Sequence, residues 1–94
     1  QDGLIVVVAT VSADGGYLLS GPDIVSRGFV YVRESEDLME EMRQNVMATI
    51  NDCLSSNGRV DWYHIKGKVK DELAKYIYGA TKRKPMIIPM IMNV

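Results

Sequence analysis

Ninety-four residues, 47% of them apolar and 24% charged, with a net charge of −1, describe one globular domain that buries roughly 60–70% of its unfolded surface. No apolar run approaches the ~20 residues of a membrane span, no charged-then-apolar leader opens the chain, and a lone cysteine, Cys53, excludes an internal disulfide. A cytoplasmic chain without membrane contact is expected.

Gln1-Asp2-Gly3 carries no initiator methionine and runs almost at once into a strand, which reads as a cut in the linker of a longer protein. Leu4 to Thr10 is a β-branched run, the composition of a strand. Asp14-Gly15-Gly16 supplies residues that tolerate positive φ, so a hairpin turns there. Tyr17 to Ser20 returns as a second strand, and Gly21-Pro22-Asp23 is expected to end it. Val30-Tyr31-Val32 adds a short extended piece. Residues 20–35 as a whole then read as a crossover to the first helix, with Gly28 at a positive-φ turn.

Ser35 is a good N-cap, followed by Glu36, Asp37, Glu40 and Glu41 where the helix dipole favours acid. Leu38, Met42, Val46 and Ile50, flanked by Met39, Met47, Cys53 and Leu54, fall on one helical stripe. Ser55-Ser56-Asn57-Gly58 stops that helix. Asp61 caps a second, whose stripe is Trp62, Ile65, Val69, Leu73, Tyr76 and Ile77. Gly67 inside it costs about 1 kcal/mol against alanine and points to close packing or a weak turn. Lys82-Arg83-Lys84-Pro85 breaks the pattern, and Met86 to Val94 forms a last strand with Pro89 at an edge or bulge.

The order β-β-α-α-β predicts an α+β two-layer sandwich, a small three-stranded sheet with both helices on one face. Leu4–Ala9 and Met86–Met92 are apolar at odd and even positions alike. A half-solvated sheet alternates, so the second face is expected to meet something beyond this chain. Val6, Val8, Ile87, Met90 and Met92 are the residues expected at that interface. Charge is lopsided too: residues 1–52 hold nine acids and three bases, residues 53–94 three acids and eight bases. Such a layout suits head-to-tail or self-complementary association, or two solvated faces of opposite sign.

Chemistry is sparse. One histidine, His64, and one cysteine, without H-E-x-x-H or C-x-x-C spacing, do not make a zinc centre. No catalytic residue, metal ligand or cofactor is therefore expected in this chain. His64 reads as a surface or capping residue. Cys53 near a helix C-terminus reads as packing, with its thiol pKa raised. No P-loop is present. Arg27 and Arg33 are able to grip phosphates, but pairing of Arg27 with Asp23, and of Arg33 with Glu34 or Asp37, is the favoured reading. Lys82, Arg83 and Lys84, near Tyr76 and Tyr78, form the candidate RNA-contact surface, although cations also suit a helix C-terminus.

The segments SGPDIVSRGFVYVRESEDL (20–38) and KRKPMIIPMIMNV (82–94) resemble the C-terminal domain of bacterial ribonuclease J, and the resemblance covers essentially the whole chain. It implies a parent of the metallo-β-lactamase and β-CASP class whose dinuclear zinc site cuts RNA internally and from the 5′ end. The family's zinc-ligand motifs do not occur here. The resemblance further implies an accessory domain, linked to the catalytic domains of the same chain, that supports activity and homo- or hetero-association of ribonuclease J subunits. Arg27, Gly28, Phe29 and Arg33 then become connector contacts toward the catalytic body or a sister subunit. The alternative is an RNA-binding accessory domain that guides substrate; the near-neutral charge favours assembly.

Overall fold

The computed structural model describes residues 3–12, 14, 16–29, 35–55 and 61–94. Three strands, β1 (Leu4–Ser12), β2 (Tyr17–Arg27) and β3 (Met86–Asn93), and two helices, α1 (Ser35–Ser55) and α2 (Trp62–Thr81), follow in the order β1-β2-α1-α2-β3. The β-branched run of β1 takes the centre of the sheet, whose spatial order is β2-β1-β3. β2 pairs with β1 antiparallel through the hairpin, and Gly16 closes it at φ +67 with its N–H donating to Ser12 O at 2.8 Å. β3 pairs with β1 in parallel. A parallel neighbour needs a long crossover, and the two helices supply it.

Period two decides which residues meet the helices. Along β1, Ile5, Val7, Ala9 and Val11 are buried to within 1% exposure. They pack with Leu38, Met42, Val46 and Ile50 of α1 and Ile65, Val69, Leu73 and Ile77 of α2 in one apolar core. The helical stripes read from the sequence are thus the buried ones, with Trp62, Tyr76, Met39, Cys53 and Leu54 partly buried at their margin. Asp61 caps α2 by accepting the His64 N–H at 3.2 Å. The fold is α+β, with both helices on the odd-numbered face of β1.

One expected strand end fails. Gly21-Pro22-Asp23 does not end β2, which continues to Arg27. Val8 faces Asp23 and Thr10 faces Ser20, so Gly21 and Pro22 share the space opposite Ala9 as a bulge. Proline is accommodated because β2 is an edge strand. Gly21, at φ +89, brings its backbone so close that a Cβ there would lie 2.8 Å from Val8 O. The crossover is accordingly shorter than 20–35 and starts after Arg27. At Gly67 nothing lies within 4 Å of a Cβ built on it, so of its two readings close packing is excluded and a weak turn is left. Gly67→Ala is expected to raise stability by about 1 kcal/mol, read as a higher urea midpoint with an unchanged slope. The short extended piece at Val30-Tyr31-Val32, the capping side chain of Ser35, and the stop at 56–58 lie outside the described residues.

The helices run antiparallel, because Glu41 meets Tyr76 while Asn45, Thr49 and Asp52 line a cleft with Glu72 and Lys68. The acidic first turns of α1 therefore lie beside the last turns of α2. This brings acidic residues of the first half of the sequence beside the more basic second half. The Tyr76 hydroxyl donates to the Glu41 carboxylate, tying the helices together. Partial burial, and then that bond to a carboxylate, push the Tyr76 pKa up to about 12. A phenol held protonated in the fold stabilises it fully below the ordinary tyrosine pKa of ~10, and this contribution falls away between there and about 12. Tyr76→Phe is expected to cost about 1 kcal/mol at pH 7 and to flatten the alkaline limb of the stability curve in that window, measured by urea unfolding at stepped pH.

Candidate functional site

The even-numbered face of the sheet carries no helix. Directly paired residues share a face, which places Arg27, Leu4 and Met86 in one row. Val25, Val6 and Ile88 form the next, followed by Asp23, Val8 and Met90, and then Ser20, Thr10 and Met92. Eight of these twelve side chains are aliphatic or methionine. Met90 and Met92 are 49% and 47% exposed, and Val25, Met86 and Ile88 are exposed as well. Methionine suits such a surface, since its flexible thioether adapts to whatever packs on it. Contiguous apolar surface of this kind marks interaction sites.

Of the expected interface residues, Val6, Val8, Met90 and Met92 lie on this open face. Ile87 does not: it is 4% exposed and belongs to the core. Residues 87 and 90 differ in parity and point to opposite faces of one strand. Ile88, Met86 and Val25 take its place; the non-alternating apolar pattern of β3 concealed which parity faces out.

The free edge of β3 is guarded differently. Met86 N–H donates to Gly3 O and Val94 N–H to Val11 O, at 2.8 and 2.9 Å. Even-numbered residues of β3 thus direct their backbone groups toward β1, and odd-numbered ones toward the edge. Pro89 falls on an edge-facing position, so the row of donors that another strand needs is interrupted there. Strand addition at this edge is disfavoured at Pro89.

The connector residues separate. Gly28 takes φ +70, the turn expected of it, and its backbone crosses that of Gly3. Phe29 is buried among the core residues rather than presented to a partner, a correction to its reading as a surface contact. Beyond the turn at Gly28 the Phe29 side chain points inward. Arg27 is exposed at one corner of the open face. It forms no ion pair with Asp23: four residues apart on a strand is roughly 13 Å, beyond reach of a salt bridge. Arg33 lies outside the described residues.

The basic cluster gathers at the C-terminal end of α2. Lys82 and Lys84 each place Nζ 5.2 Å from the centroid of the Tyr78 ring. Arg83 N–H donates to Thr81 Oγ1 at 3.1 Å. Farther along α2, Lys68 and Lys75 reach Glu72 at 3.6 and 3.3 Å, and Lys75 chiefly holds the Glu72 carboxyl below its usual range. Cys53 is half-buried and its thiol is pushed up, first by burial and then by Asp52. His64 is exposed in the first turn of α2. Among the described residues no three histidine, cysteine or carboxylate side chains converge as metal ligands, and no helix is long and apolar enough to cross a membrane.

The family model described as the ribonuclease J C-terminal domain matches residues 1–94. Over its whole length the chain is 44% identical to ribonuclease J2 of Bacillus subtilis (strain 168). It is 40% identical to ribonuclease J 2 of Staphylococcus aureus (strain NCTC 8325 / PS 47) and 39% identical to ribonuclease J 2 of Staphylococcus epidermidis (strain ATCC 12228 / FDA PCI 1200). The chain spans 17% of the length of each of these curated relatives.

Proposed function

The chain belongs to the ribonuclease J C-terminal domain family, and from that premise we propose that it is the assembly domain of a longer RNA-degrading and RNA-processing hydrolase. In this reading it carries no part of the active site. Hydrolysis, both internal and from the 5′ end, and the zinc that serves it belong to metallo-β-lactamase and β-CASP domains elsewhere in the cytoplasmic parent. The role of residues 1–94 is to join one ribonuclease J subunit to another, of the same or a sister kind, and so sustain full activity.

The open apolar face is the observation that carries this reading. Charge flanks it: Asp23 and Arg27 lie on the same face of β2, two rows apart. A two-fold axis that set Asp23 of one copy over Arg27 of the other would give the self-complementarity that an isologous interface requires. Exposed methionines and aliphatics fill the centre, with charge at the rim, as in stable interfaces.

The test is made on the intact ribonuclease, with and without this domain, by measuring its mass in solution and its turnover of RNA. Loss of the domain is expected to shrink the assembly and lower turnover while the zinc content stays the same. An unchanged mass would remove the proposed role.

A further inference from the structure

The C-terminal end of α2 concentrates positive charge on one ring. The Lys82 and Lys84 ammonium groups, each 5.2 Å from the Tyr78 centroid, are no farther apart than twice that distance. Beside the ring, Ala74, Lys75, Tyr78, Lys84 and Pro85 line a groove of about 360 Å³. It adjoins a second of about 490 Å³, which shares Ala74, Lys84 and Pro85 and adds Lys70. No carboxylate lines either groove among the described residues.

A helix dipole accounts for cations after the last turn. It does not account for the backbone of Lys82. This residue caps α2 at φ 61 and ψ 22, in the left-handed region, with its N–H donating to Tyr78 O at 2.8 Å. Glycine is the usual residue at this position and adopts the conformation without strain; lysine adopts it at a cost. Glycine would make the same capping bond. What lysine adds is an ammonium group over Tyr78, on the same ring as that of Lys84.

We propose that this groove binds the backbone of single-stranded RNA, with Lys70 and Lys84 of its lining and Lys82 over the Tyr78 ring facing phosphates, Lys75 being held by Glu72, and with Ala74, Tyr78 and Pro85 giving an apolar floor to a ribose or base. A cationic track beside an aromatic side chain is the arrangement that holds single strands without regard to sequence. A duplex keeps its bases stacked inside and leaves such a floor unused. The curated relatives are ribonucleases by name, so RNA is the polyanion at hand. The inference rests on family membership and is independent of the assembly reading.

The experiment is fluorescence anisotropy of a labelled 12-nucleotide oligoadenylate RNA titrated with this chain at several salt concentrations. Three phosphate contacts predict that log K falls against log salt with a slope of about −2. Lys82→Gly should weaken binding about fivefold and reduce that slope by about 0.7, while the melting temperature holds or rises because strain is relieved. Tyr78→Ala, at an exposed position, should weaken binding roughly tenfold. Sedimentation of both variants should match that of the parent chain, which separates this site from the assembly face. Binding that is absent, insensitive to salt, or unchanged in both variants would overturn the proposal. So would equal displacement of the RNA by an oligoglutamate of the same length, which would assign the groove to an acidic peptide.

Discussion

Gly3→Ala is expected to lower the stability of the fold by about 3–5 kcal/mol, combining left-handed strain with overpacking. Gly3 takes φ +96, and a Cβ built there would lie 2.5 Å from Phe29 N and 2.6 Å from Gly28 C. Both neighbours are backbone, so no rotamer relieves the clash. The chain passes here from β2 into the crossover, directly beneath the start of β1, and Phe29 is fixed in the core by the same contact. Relaxing Gly3 therefore disturbs the first pairing of β1 with β3, where Met86 N–H donates to Gly3 O. Gly16→Ala is the control. Its φ of +67 is also left-handed, but nothing lies within 4 Å, so only about 1 kcal/mol should be lost. Urea unfolding of the two variants beside the parent chain measures the difference; equal losses would show that strain, and not the backbone crossing, dominates at Gly3.

The second large effect is expected on association. Ile88→Glu with Met90→Glu places two carboxylates at the centre of the open face. Burying unpaired charge costs several kcal/mol, and each 1.4 kcal/mol is tenfold, so self-association should weaken by at least about 100-fold. Both positions are exposed in the single chain, so stability should change by no more than about 0.5 kcal/mol. Lys66→Glu, on the solvent side of α2, makes a comparable charge change away from the face. It should leave association intact, and light scattering across a concentration series distinguishes the two.

Much of this was readable in the residues, and the exceptions have physical causes. The stripes of α1 and α2 follow a 3.6-residue period strictly, with Asp61 and the cations marking the ends of α2, so helices and core agreed. Apolar character at odd and even positions alike in Leu4–Ala9 and Met86–Met92 disclosed an uncovered second face. That same lack of alternation hid the parity of β3, and Ile87 was assigned to the wrong side. Gly21-Pro22-Asp23 has the composition of a turn, yet an edge strand absorbs it as a bulge. The β-branched pair Ile24-Val25 beyond it was the signal that β2 continues. Tertiary contacts decided the remainder. The inward turn of Phe29, the crossing of Gly3 and Gly28, and the gathering of Lys82 and Lys84 on Tyr78 join residues whose pairing no local pattern records.

Sedimentation equilibrium of the unaltered chain, over a wide concentration range at low and high salt, tests the central claim most directly. A dimer that persists at 1 M salt, where charges are screened within ~3 Å, is the predicted result, weakened only by the rim contribution of Asp23 and Arg27. A monomer at every concentration, or a dimer abolished by salt, would contradict assembly through the apolar face of the sheet.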